Sequence, residues 1–116
     1  MEANSRKANS VAGYELTFFT LQDRHHDGKP LARWLLEEAR AMEVGGATLV
    51  AASEGFGRDK RIHAMHLFNL SEQPHEVIMV VTEDEANRFF ERLREEGIKV
   101  FYCRTPVEFG TTNGRH

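Results

Sequence analysis

The chain has 116 residues, 41% of them hydrophobic and 28% charged, the composition of one globular domain with a single core. Fifteen Lys and Arg stand against eighteen Asp and Glu, a formal charge of −3, so no global field draws the protein onto nucleic acid. No apolar run approaches the ~18 residues that cross a bilayer, and the single cysteine, Cys103, excludes an internal disulfide framework and any zinc site built on paired cysteines.

Residues 1–12 are polar and aperiodic and read as a disordered tail, and residues 110–116 read as a second tail, which leaves 13–109 as the folded domain. The N-terminal stretch lacks the apolar segment of a secretory signal, so a cytoplasmic location is expected. Tyr14 to Leu21 is rich in β-formers and predicts a first strand. Pro30 then opens a helix of about 14 residues, with Leu31, Trp34, Leu35, Ala39 and Met42 at helical spacing and Gly45-Gly46 as its stop. Ala47 to Ala52 reads as a second strand, and Val77 to Val81 as a third, buried in mid-sheet. Thr82 to Glu85 has the form of a capping box for a second helix, whose apolar side is Ala86, Phe89, Phe90 and Leu93 and whose close is Gly97. Ile98 to Cys103 predicts the last strand, ended by Pro106.

This order of elements predicts an α+β, ferredoxin-like βαββαβ fold: a four-stranded antiparallel sheet, two helices on one face, and a long loop between strands 2 and 3. The helix-free face should be apolar, and small domains of this kind hide such a face by oligomerising.

The loop from Ser53 to Ser71 is the candidate functional segment, because connections beyond about 12 to 15 residues in a compact domain are usually functional or disordered. Gly55-Phe56-Gly57 frees the backbone to present N–H groups, and Arg58, Lys60 and Arg61 follow, so an anion can meet backbone donors and cations together. On these residues alone, a tight turn with solvated charges outweighs an anion site.

Gly46-Ala-Thr-Leu-Val followed by Glu54-Gly-Phe-Gly-Arg-Asp-Lys60 resembles the second strand and the start of the T-loop in PII nitrogen-regulatory proteins. Gly28-Lys-Pro-Leu31, Glu38-Ala-Arg40, Gly46-Ala-Thr48, Gly55-Phe-Gly57, Ile62-His63 and Leu70-Ser71 resemble the PII-like domain-of-unknown-function family 190, and together cover most of 14–105. The resemblance implies a ferredoxin-like fold, a homotrimer, and intersubunit clefts that take adenine nucleotides or other small effectors. It places Thr48, Gly55, Phe56, Gly57, Arg58 and Lys60 at the wall and loop base of such a cleft, with Arg58 as the anion-pairing residue. Glu95-Glu-Gly-Ile98 is short and acidic where PII proteins have a glycine- and lysine-rich B-loop, and Ser53 to Gln73 contains no tyrosine. Neither PII-style ATP contact nor tyrosine modification is therefore carried over.

The alternative reading is a metal-binding trimer of CutA-like architecture that uses His25, His26, His63 or His66, since imidazoles are common metal ligands. No fixed spacing identifies a zinc or copper site, and solvated polar loops are the simpler account of these histidines. Catalysis has little support: Cys103 stands on a predicted strand where an apolar, buried role is usual, with no glycine elbow or Ser-His-Asp order beside it. The expected function is that of a non-enzymatic PII-like signalling protein. It would bind a small anionic effector or adenine nucleotide between subunits and dock loop 53–71 on a partner, a membrane transporter among the candidates, with no insertion into the bilayer itself.

Overall fold

The computed structural model describes residues 10–51, 54–56, 62–64 and 74–112. In chain order the elements are β1 (Ser10–Leu21), β2 (His25–His26), β3 (Lys29–Pro30), α1 (Leu31–Ala41), β4 (Gly46–Ala51), β5 (Glu54–Phe56), β6 (Ile62–Ala64), β7 (Pro74–Val81), α2 (Glu83–Glu95) and β8 (Phe101–Gly110). Four of the strands form one sheet in the order β4-β7-β1-β8, each pair antiparallel, with β2-β3 and β5-β6 as separate two-stranded ribbons. This is the ferredoxin-like arrangement expected from the order of elements.

Strand periodicity assigns the two sheet faces. Leu16 and Phe18 of β1, and Val77, Met79 and Val81 of β7, are fully buried under the helices. They pack against Leu31, Trp34, Leu35 and Ala39 of α1 and Ala86, Phe89 and Leu93 of α2. Fully burying one such side chain contributes about 1.5–3 kcal/mol, so this shared layer is what holds the domain together. The unbroken apolar run of β7 also follows from its place in the sheet. Val77, Met79 and Val81 face the helices, while Ile78 and Val80 face the other way in an interior strand.

The capping box at the start of α2 is present: the Glu85 N–H donates to Thr82 Oγ1 at 3.2 Å and the Thr82 N–H to Glu85 Oε1 at 2.9 Å. Both helices end in Schellman motifs, where the residue after the cap turns left-handed and two backbone N–H groups fold back onto the last turn. In α2 that residue is Gly97, and the N–H groups of Gly97 and Ile98 reach the carbonyls of Arg94 and Leu93.

Several boundaries differ from the sequence expectation, among them the start of β7, which pairs from Pro74 rather than Val77. β1 starts at Ser10, because residues 10–13 pair with the far end of β8, Ser10 standing opposite Gly110. α1 has 11 residues and stops at Ala41, since Glu43 rather than Gly45 takes the left-handed position. β8 runs from Phe101 through Pro106 to Gly110 instead of ending at Pro106. It is an edge strand paired only with β1, where a missing N–H is tolerated, and Ile98 and Val100 are apolar because they pack on the core ahead of the strand. Cys103, expected to be buried, is exposed on that edge strand. Among the described residues, no helix is long and apolar enough to cross a membrane.

Candidate functional site

The segment between β4 and β7 begins and ends on hydrogen-bonded neighbours, with Ala51 opposite His75. Thr48, three residues before that exit, is exposed and registers with Ile78. Ile78 in turn registers with Thr17 and Thr17 with Cys103, so Thr48, Ile78, Thr17 and Cys103 form one row across the helix-free face. The rigid frame thus puts Thr48 on the helix-free face.

Within the segment, β5 and β6 pair antiparallel, with Glu54 opposite Ala64, Gly55 opposite His63 and Phe56 opposite Ile62. The expected loop therefore contains a short ribbon, and Gly55 and Phe56 of the effector set share it with His63 of the metal set. Gly57, Arg58, Lys60 and His66 lie outside the described residues. By sequence, the Gly57-Arg58-Asp59-Lys60-Arg61 run joins the two ribbon strands.

The two remaining histidines are separated by strand alternation. His25 is exposed, and its Nδ1 donates to the Asp23 carbonyl at 2.8 Å. His26 turns inward: its ring stands edge-on to Trp34 with centroids 5.2 Å apart, and its Nε2 is 2.8 Å from Glu96 Oε1 and 3.9 Å from Asp27 Oδ1. An ionised carboxylate only accepts, so Nε2 carries the proton in that contact. Asp27 and Gly28 both have positive φ (54° and 77°) in the two-residue turn between β2 and β3, the backbone that Asp-Gly hairpins adopt.

A charge network continues from Glu96. Arg92 donates from Nη1 to Glu96 Oε2 at 2.6 Å and from Nε to Glu38 Oε2 of α1 at 2.9 Å, and its guanidinium lies 5.8 Å from the Trp34 ring centroid. The hydrogen bond from His26, and then that from Arg92, hold the Glu96 carboxyl below the usual carboxylate range. Hydrogen bonds to Glu38 and Glu96 likewise raise the Arg92 guanidinium. Glu96 was not singled out from the sequence, because it lies 70 residues from His26 and reads locally as one more charge on a wet helix face. No short-range spacing could have joined them. Lys29 binds Glu37 at 2.6 Å as a surface pair at the start of α1.

Comparisons with known proteins agree with this architecture. Residues 13–108 match the DUF190 family, described as Uncharacterized ACR, COG1993. A UPF0166 protein of Aquifex aeolicus (strain VF5) is 35% identical over 80 residues, which cover 68% of this chain and 76% of that protein. Among solved structures, CPII, a nitrogen regulatory PII-like protein from Thiomonas intermedia K12 bound to ADP, AMP and bicarbonate, superposes with a TM-score of 0.60 at 20% identity, over 90% of this chain and 94% of CPII. A candidate PII-like signaling protein from Thermus thermophilus superposes with a TM-score of 0.59, again at 20% identity and over 90% and 94% of the two chains. These structural likenesses establish the PII-like, ferredoxin-like fold. The chain belongs to the DUF190 family.

Proposed function

We propose that this protein is a PII-like regulator that binds a small anionic effector or an adenine nucleotide in clefts between the subunits of a homotrimer. The observation that carries the reading is the likeness to CPII, a protein of the same fold with ADP, AMP and bicarbonate bound. Two features of this chain support it. The helix-free face carries an apolar patch beside Glu15 and Glu76, with Val50 38% and Phe101 50% exposed on opposite edges and Ile78, Val80 and Phe19 between them, a patch that subunit association would cover. The segment between β4 and β7 carries Gly55, Phe56, Gly57, Arg58 and Lys60, which suit an anion by combining backbone donors with cations.

The effector then acts through binding. An anion that pairs with Arg58 favours the arrangement of 53–71 in which Arg58 can reach it, and a coupling of ~1–3 kcal/mol is enough to switch docking of that segment on a partner protein. Reversible binding of this kind needs no catalytic group.

The test is a thermal-shift screen of tag-free protein against AMP, ADP, ATP, cyclic nucleotides and bicarbonate. A ligand present at 100 times its Kd should add ~2.7 kcal/mol of stability. A nucleotide or bicarbonate should raise Tm, and the rise should disappear in Arg58→Ala. An unchanged response in Arg58→Ala would remove Arg58 from the site, and no response to any of these compounds would refute the effector reading.

A further inference from the structure

We infer that His26, Asp27 and Glu96 form a divalent-cation site that pins the β2-β3 hairpin to the C-terminal end of α2. The site is separate from the segment between β4 and β7 and does not depend on the effector reading. Nε2 of His26, a carboxylate oxygen of Asp27 and a carboxylate oxygen of Glu96 all lie within 4.8 Å of one another. Ligands about 2.0–2.2 Å from a tetrahedral ion stand about 3.3–3.6 Å apart. The separations of 2.8 Å (His26 to Glu96) and 3.9 Å (His26 to Asp27) bracket that value and the Asp27 to Glu96 pair lies within 4.8 Å, so seating an ion requires shifts of at most about 1.5 Å.

The donors are held ready rather than gathered from loose surface chains. His26 is 21% exposed and leans on Trp34, which is itself buried, and Glu96 is 23% exposed with its second oxygen fixed by Arg92. Asp27, at 65% exposed, is the open side through which an ion enters and water completes the shell. Arg92 is the cation nearest the site, and Glu38 and Glu95 offset its charge, at 2.9 and 3.8 Å. With a neutral imidazole, the two carboxylates of the site therefore remain available to a dipositive ion. One imidazole nitrogen with two carboxylate oxygens suits Zn²⁺ or Mn²⁺ rather than the thiolate-seeking Cu⁺. On binding, the neutral ring changes tautomer: Nε2 gives up its proton to solvent while Nδ1 takes one up, the freed Nε2 lone pair goes to the ion, and the direct His26 to Glu96 hydrogen bond is replaced by two metal–ligand bonds.

The experiment titrates Zn²⁺, and separately Mn²⁺, into the tag-free full chain by calorimetry, with the imidazole ¹⁵N signals followed by NMR. One ion per chain is expected, with the His26 ring signals moving. Asp27→Asn keeps a residue that accepts positive φ while removing a charged ligand, and Glu96→Gln keeps an acceptor for His26. Each should weaken binding by about ten-fold or more, the scale on which metal affinity responds to disturbed shells. His25→Asn and the double variant His63→Asn/His66→Asn should leave the affinity within about two-fold. Binding that survives Asp27→Asn and Glu96→Gln, binding that is lost with His63 and His66, or no saturable binding of either ion would each overturn the assignment. Circular dichroism of each metal-free variant separates loss of a ligand from loss of fold.

Discussion

Glu43 and Gly97 occupy equivalent positions: each is the left-handed residue, at φ 58° and 68°, that ends a helix. In both motifs the next residue folds back, Val44 onto the Ala39 carbonyl and Ile98 onto the Leu93 carbonyl. Only one of the two residues has a side chain that resists this backbone. Glu43 is exposed and its side chain makes no polar contact among those described, so Glu43→Gly should relieve the strain at little other cost. The expected gain is about 0.5–1 kcal/mol, read as a rise in the urea midpoint at constant m-value. A loss of stability would show that the glutamate side chain contributes more than its backbone costs.

At Gly13 the reverse substitution should be damaging. A Cβ there would stand 2.1 Å from the Val81 carbonyl oxygen and 2.8 Å from Cε1 of Phe109, and the first of these is backbone in the next strand. Phe109 lies on the same sheet face, and its ring closes over the glycine at the end of the helix-free surface. Gly13→Ala should cost about 3 kcal/mol, toward the upper end for overpacking, because the β1-β7 ladder must move. Gly13→Ala with Phe109→Leu should recover only part of that loss, since the carbonyl remains. Full recovery would make the ring, and not the strand, the source of the strain.

What could be read from the sequence is what is local. The 3.6-residue spacing from Leu31 to Ala39, the Thr82 to Glu85 box and the β-rich Val77 to Val81 run each declare an element within a few residues, and these elements occur. The errors arise where a distant partner decides. Pro106 reads as a strand end until β1 alone borders it, and Ser10 reads as tail until Gly110 pairs with it. The same limit governs the site. The glycine and cation run 55–61 is visible as a motif, whereas the His26 to Glu96 contact joins a hairpin to a helix end 70 residues away.

His75 should make stability depend on pH. It stands at the start of β7 on the same side as Val77, and its Nδ1 is buried without a hydrogen-bond partner among the described residues. Burial pushes its imidazole below the ordinary 6.5. Between the folded value and 6.5, the unfolded chain binds more protons than the folded one, so stability falls as pH drops through that window and levels off beneath it. Chemical denaturation at a series of pH values should show this fall, and His75→Gln should flatten it. An identical pH dependence in His75→Gln would mean that other groups set the slope.

The helix-free face offers a direct check on the subunit arrangement. Val50 of β4 and Phe101 of β8 lie in one row, since Val50 registers with Glu76, Glu76 with Phe19 and Phe19 with Phe101. The Phe19 and Phe101 rings touch at 5.6 Å between centroids, so the row ends in an aromatic pair on the exposed edge of the sheet. Both substituted positions already face water in the isolated chain, so charges placed there should disturb the subunit fold little and an apolar interface greatly. Light scattering coupled to size exclusion should give a trimer for the wild type and a monomer for Val50→Lys/Phe101→Glu, with unchanged far-ultraviolet circular dichroism. Because the proposed clefts exist only between subunits, the double variant should also lose any thermal shift with nucleotide or bicarbonate. A monomeric wild type would exclude intersubunit clefts. A variant that stays trimeric would move the interface to another face.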